Sequence, residues 1–197
     1  MNEVLLIMSL EELIMKNRSY RRFHENHAID RPTLENLVNM ARLSASAANK
    51  QPLRYMLFCD PKKNQNIFPA LGWAAYLKDW PGPAEGERPS AYIVMLSDSQ
   101  WTSPYTPIDA GIACQSILLG AAELGLGGCI IASIKKDKLK TVLKISERYE
   151  ILLVIALGKP REIVEVEVMQ NDQVEYWRDK EGIHHVPKRH LKEIILG

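Results

Sequence analysis

The absences in this sequence narrow its chemistry before any motif is considered. No Cys-x-x-Cys pair occurs. Cys59, Cys114 and Cys129 are odd in number, far apart and set in apolar stretches, which argues against a zinc or dithiol centre and predicts buried free thiols. There is no charge surplus either: Lys+Arg at 25 against Asp+Glu at 24 leave a formal net charge of +1. The chain therefore has no global field to hold nucleic acid or an anionic membrane, and any anion site must be local. Long apolar runs are missing too. The stretch Val4–Met8 is too short to span a membrane, and Glu3 precedes it where a secretory leader would carry lysine or arginine, so the protein is expected to be cytoplasmic. No Ser-His-Asp set, paired carboxylates, internal repeat or low-complexity segment stands out. His184, His185 and His190 lack a cysteine or carboxylate cluster in sequence and are expected to be solvated rather than metal-bound.

What is present predicts one α+β domain over residues 1–197. A hydrophobic fraction of 46% with 25% charged residues can bury a core. Ser9 and Glu12 form a capping box for a helix over 10–16. Asp30 and Pro32 open a second helix that ends near Leu43, with Leu34, Leu37, Val38 and Ala41 on one face. Short apolar runs at 55–59, 91–97, 129–132 and 151–157 suit buried strands, and a helix is expected over 138–143. Residues 72–89, interrupted by three glycines and three prolines, should hold no long regular element. Thr106, Pro107 and Asp109 predict a helix start whose hydroxyl and carboxylate satisfy free amides, and the helix over 107–124 is apolar or small almost all round. A second subunit could supply part of its cover. Val164, Val166 and Val168 alternate with Glu165 and Glu167 in an exposed or edge strand, and a short helix over 191–196 closes the chain.

Three stretches could carry chemistry. Arg18, Ser19, Arg21 and Arg22 put rigid donor forks and a hydroxyl after the first helix, a composition suited to phosphate, although such runs are more often structural ion-pair clusters. Ser46, Asn49 and Gln51 offer donors and acceptors to a heterocycle edge, or merely cap the local backbone. Gly125-Leu126-Gly127-Gly128 follows a helix and precedes a strand, so it is a turn rather than the G-x-G-x-x-G of a dinucleotide fold.

Taken in order, these pieces resemble the flavin-dependent nitroreductase family. The resemblance rests on Arg18-Ser19-Tyr20-Arg21, Ser46-x-x-Asn49-x-Gln51-Pro52, Asp109-Ala110-Gly111, Gly125-Leu126-Gly127-Gly128 and the late pair Lys188-Arg189. It implies a central, mostly antiparallel sheet flanked by helices, an intertwined homodimer and FMN at the dimer interface. Arg18, Ser19, Lys188 and Arg189 would then hold the ribityl phosphate, with Arg21 near the pyrimidine edge of the flavin. Ser46, Asn49 and Gln51 of the partner would contact the ring edge and ribityl chain, and the backbone at Gly127 and Gly128 would face the N5 side. The implied activity is hydride transfer from NAD(P)H through flavin to a small acceptor, such as a nitroaromatic or quinone, in a ping-pong cycle without a catalytic acid or base. Dehalogenation or ring oxidation on the same fold, and flavin storage or sensing without turnover, remain as alternatives. Departures at Asn17, Ala45 and Leu53, where many members carry arginine, proline and tryptophan, bear on the substrate, since the 72–89 stretch that would wall the pocket carries no family motif.

Overall fold

The computed structural model describes residues 8–197, so the apolar stretch at 4–7 lies outside the described residues. The first helix, α1, runs Leu10–Lys16 behind the expected reciprocal Ser9–Glu12 capping box, and α2 runs Arg31–Leu43 with the Asp30 carboxylate accepting from Thr33 N–H at 2.9 Å. A four-stranded antiparallel sheet in the order β1-β2-β4-β3 forms the centre, built from Leu53–Phe58, Ala91–Asp98, Tyr149–Gly158 and Gly127–Ile131 for β1, β2, β4 and β3. Strand β2 is buried along its full length, which explains why its sequence is a continuous apolar run rather than an alternating one.

Side chains alternate across β2 and divide the core into two layers. Ala91, Ile93 and Met95 pack under α2 and α4 (Thr106–Glu123), whereas Tyr92, Val94 and Leu96 pack under α3 (Pro61–Ile67) and α5 (Lys136–Leu143). Helix α3, opened by Asp60 as N-cap, has no counterpart in the sequence reading. Its burial is limited to Asn64 and Ile67, too few positions for a visible period.

Helix α4 ends in a Schellman turn. Leu126 N–H donates to Ala121 O and Gly125 N–H to Ala122 O, with Gly125 at φ +70°. Its start departs from expectation: Thr106 is already helical, and its hydroxyl accepts from Ser103 N–H. Nor is the helix covered all round. Pro107, Ile108, Gly111, Ile112 and Gln115 form an exposed stripe, and Leu10, Ile14 and Met15 of α1 are exposed as well.

After β4 the chain builds a second, three-stranded sheet in the order β5-β7-β6 (Val164–Val168, His184–Lys188, Trp177–Arg178). Strand β5 lies at its edge, parallel to β7, as the alternation of valine and glutamate suggests. Of the histidines expected to be solvated, His184 and His185 lie instead in strand β7, His184 only 1% exposed, whereas His190 is exposed. The terminal helix α6 spans Leu191–Ile194. Residues 72–89 hold only turns and bends, and among the described residues no helix is long and apolar enough to cross a membrane.

The contact between α2 and α4 depends on Gly120, where a Cβ would lie inside contact distance of Met40 Sδ and 3.1 Å from Leu37 Cδ2. Gly120→Val should destabilise the fold by about 1–3 kcal/mol through overpacking. A urea midpoint equal to that of the unmodified protein would show that the helices are not in this register.

Candidate active site

Beyond α1 the chain runs along the outer edge of β3. Tyr20 N–H donates to Gly128 O at 3.0 Å, and Ser19 forms a parallel bridge with Gly128. Gly127 leaves room for the Tyr20 ring, and Gly128 for the Leu118 and Leu157 side chains. Glu162 holds the segment from behind. Its buried carboxylate accepts from the backbone N–H groups of Arg21 and Arg22, the latter at 3.1 Å, and from Arg178 Nη2 at 2.8 Å.

This anchoring sorts the three arginines. Arg22 is structural: it forms a two-pronged ion pair with Glu87 at 2.6 and 2.7 Å, and that hydrogen-bonded guanidinium holds the Glu87 carboxyl below its usual range. Arg18 and Arg21 instead line a cavity of about 300 Å³ together with Ser19, Gln115, His184 and Lys188. Three cations meet there, and none of the described residues lining the cavity is a carboxylate. Arg18 donates from Nη2 to Ile14 O, while its Nε is buried without a partner.

Arg21 is held in place by neutral groups. It donates from Nη1 to Ser19 O at 3.1 Å and to His184 Nε2 at 3.2 Å, and its guanidinium lies 4.7 Å from the centre of the Tyr176 ring. Burial first, then the charges of Arg21, Arg178 and His185, push the His184 imidazole down to about 4. It is therefore neutral near pH 7. Because a guanidinium can only donate, Nε2 is the acceptor and the proton resides on the buried Nδ1, which has no partner. A second cleft of about 270 Å³ shares Arg21 and Ile130 with the cavity and is walled by Gly72, Trp73 and Ala74.

The sequence candidates do not all converge. Arg18, Ser19, Arg21 and Lys188 meet in the cavity, but Arg189 points away and pairs with Asp172 at 2.6 Å. Gly127 and Gly128 are buried within β3 and do not line the cavity, whereas Ile130, two residues along the same edge, does. Ser46 and Gln51 border a separate cleft of about 350 Å³ in the same chain.

Asp109 organises the loop beside that cleft rather than capping its own helix. Its buried carboxylate accepts from Ser46 Oγ and Ala47 N–H, both at 2.9 Å, and Ser46 Oγ in turn accepts from Gln51 N–H. Ala48, Asn49 and Gln51 all adopt left-handed φ angles of 49–53°, a conformation costly for residues with a Cβ. The loop holds the Asn49 and Gln51 side chains out into solvent.

With this arrangement in view, comparison with known proteins decides the family. A family model described as the Nitroreductase family matches residues 14–159. This chain belongs to the nitroreductase family. Curated relatives include an iodotyrosine deiodinase from Haliscomenobacter hydrossis, 25% identical, with 77% of this chain and 84% of that protein covered. An NADH dehydrogenase/NAD(P)H nitroreductase from Archaeoglobus fulgidus is also 25% identical, with 77% and 85% covered. A nitroreductase from Exiguobacterium sibiricum, solved in complex with FMN, shares the fold at a TM-score of 0.65 and 17% identity, with 79% and 90% covered.

The nitroreductase match ends before β5, so His184 and Lys188 enter the cavity from a part of the chain outside it. Sequence reasoning missed Glu162, Tyr176 and His184. No motif or spacing signalled any of the three.

The buried neutral state of His184 makes part of the protein's stability sensitive to acid. Its contribution is complete above the ordinary histidine value of 6.5 and is lost as the pH falls towards about 4, because the unfolded chain takes up the proton first. The loss in urea midpoint between pH 7 and pH 4 should be smaller in His184→Gln than in the unmodified protein. Equal losses in the two proteins would mean that His184 is not held neutral.

Proposed function

We propose that this nitroreductase-family chain is an FMN-dependent oxidoreductase that uses NAD(P)H to reduce a small planar acceptor, such as a nitroaromatic or quinone, and works as a cytoplasmic homodimer. The observation that carries this reading is the convergence of Arg18, Arg21 and Lys188 on one cavity without a lining carboxylate. Such a donor set fits the flavin phosphate. The names of the relatives, an NAD(P)H nitroreductase and a structure complexed with FMN, point the same way.

FMN held there would supply the redox chemistry between nicotinamide and acceptor. The residues of the chain bind, orient and stabilise. Arg18, Ser19 and Lys188 hold the phosphate. Arg21, fixed by His184, Ser19 and Tyr176, places a permanent cation where negative charge develops, with no proton transfer required. The cleft bordered by Trp73, Ala74 and Ile130 adjoins Arg21 and gives donor and acceptor a common place to bind in turn.

The dimer follows from what one chain leaves open. At about 300 Å³ the cavity lies at the lower limit for a site enclosing a whole small molecule. Gln115 and Leu118 of α4 line it, and the exposed Ile108–Ile112 stripe of the same helix lies beside it. A second copy packed on that stripe would close the site, and by two-fold symmetry the partner's Asn49 and Gln51 would reach it from the strained loop. Arg189 pairs with Asp172 outside the cavity.

Changing Arg21 to alanine should slow NAD(P)H-dependent bleaching of bound flavin by roughly 10²–10³ while most of the flavin stays bound. Stopped-flow rates within a few-fold of the unmodified protein would remove Arg21 from this role. Sedimentation should show a dimer at micromolar concentration; a flavin-loaded monomer would overturn the shared site.

A further inference from the structure

The loop that walls the cleft beside Arg21 is tied to the start of β6 through two aromatic contacts. Trp73, Ala74 and Ala75 line that cleft. Directly after them the chain turns, with Leu77 N–H donating to Ala74 O at 2.9 Å and Ala74 buried in a left-handed conformation at φ +37°. The turn carries Tyr76 onto Tyr176, their ring centres 4.9 Å apart and their planes at 62°. Further along the loop, the Trp80 ring centre lies 4.8 Å from the Arg178 guanidinium, which Glu162 holds in an ion pair at 2.8 Å.

Tyr176 stands at a junction. It lines the cationic cavity, its ring centre lies 4.7 Å from the Arg21 guanidinium, and it packs against the His184 ring at 5.1 Å. An aromatic face attracts a guanidinium through its quadrupole but has no net charge, so it orients Arg21 without cancelling the field of that cation. A carboxylate in the same place would do the opposite, as Glu87 does for Arg22. Ser19 O and His184 Nε2 both accept from Nη1 of Arg21, so these bonds fix one corner of the planar fork and the Tyr176 face sets the tilt of the rest. Tyr176 itself closes the irregular segment 169–176 just before β6, and its ring depends on side-chain packing for its orientation. Tyr76 supplies that packing from the cleft wall.

We propose that Tyr76 and Tyr176 are positioning residues for Arg21: Tyr176 sets the guanidinium with its ring face, Tyr76 sets Tyr176, and the wall of the cleft thereby tunes the cation offered to bound flavin. This role rests on Arg21 acting on FMN, as read above. Tyr76 lies inside the family match and Tyr176 beyond it, so the pair couples the 72–89 loop to the C-terminal sheet at the one cation that the cavity and the cleft share.

The midpoint potential of FMN in the purified, flavin-loaded protein, followed against a reference dye during slow anaerobic reduction, reads the field of Arg21, because a misplaced cation stabilises the reduced, anionic ring less. Arg21→Ala should lower the ratio of affinities for reduced over oxidised FMN at least about tenfold. Tyr176→Leu should lower it about three- to tenfold, the worth of a cation–π contact, or about 15–30 mV for a two-electron couple. Tyr76 is 46% exposed, so Tyr76→Ala should leave the fold intact and lower the ratio about two- to threefold. Tyr176→Phe and Tyr76→Phe keep the rings and should keep the potential. In the Arg21→Ala background, Tyr176→Leu should change nothing further. Potentials unchanged in Tyr176→Leu and Tyr76→Ala, beside a lowered one in Arg21→Ala, would overturn the positioning role alone. An equal drop from Tyr176→Leu with and without Arg21 would overturn it too, since the ring would then act on the flavin itself. An unchanged potential in Arg21→Ala would remove both this role and the reading of Arg21 as the flavin's cation.

Discussion

The arrangement of the cationic cavity depends on one buried carboxylate. Glu162 accepts from the backbone of Arg21 and Arg22 and from the side chain of Arg178, so it turns the arginine segment and ties it to the second sheet. Because its charge is spent on backbone amides and on Arg178, it does not neutralise Arg18 or the Arg21 side chain. Arg22 and Glu87 neutralise each other nearby. What remains, Arg18, Arg21 and Lys188 without a lining counter-charge, would be an unfavourable assembly in a chain meant to stand empty. The phosphate proposed to bind there would remove the conflict.

A similar trade appears at the second loop. The left-handed residues Ala48, Asn49 and Gln51 are costly, and Asp109 and Ser46 offset that cost with hydrogen bonds from a buried carboxylate. Among the described residues Gln51 Nε2 donates only to the neighbouring Asn49 O, and both side chains stay exposed. So do apolar residues on α1, α4 and α6 and the half-bare valines of β5. The proposed second copy would account for both, covering the helices and taking up the loop.

Much of the fold was legible in the sequence because its signals are local. Ser9 with Glu12 and Asp30 with Pro32 cap helices through neighbouring amides, and the apolar runs of β2 and β4 report burial on both faces. Arg18, Ser19, Arg21 and Lys188, which meet in one cavity, could be singled out from residue type and family resemblance, Arg21 for the flavin ring and the other three for a phosphate. What failed was long-range. The Asp109 carboxylate looked like a helix cap but bonds 62 residues away in sequence, at Ala47. His184 looked solvated because nothing local shows that β7 will pair with β5 and bury it. Arg189, adjacent to Lys188, was assigned with it, although neighbouring side chains on an extended chain point to opposite faces. Glu162, the anchor, lies about 140 residues from the backbone it holds and carries no motif.

The most direct test of the cationic cavity as a phosphate site is fluorescence titration of flavin-free protein with FMN and with riboflavin, which differ only in the phosphate. FMN should bind at least about 100-fold more tightly, and Arg18→Ala or Lys188→Ala should each remove about 10- to 100-fold of that preference, the worth of one charge-assisted hydrogen bond. Equal affinity for FMN and riboflavin, or a preference untouched in both variants, would contradict the account.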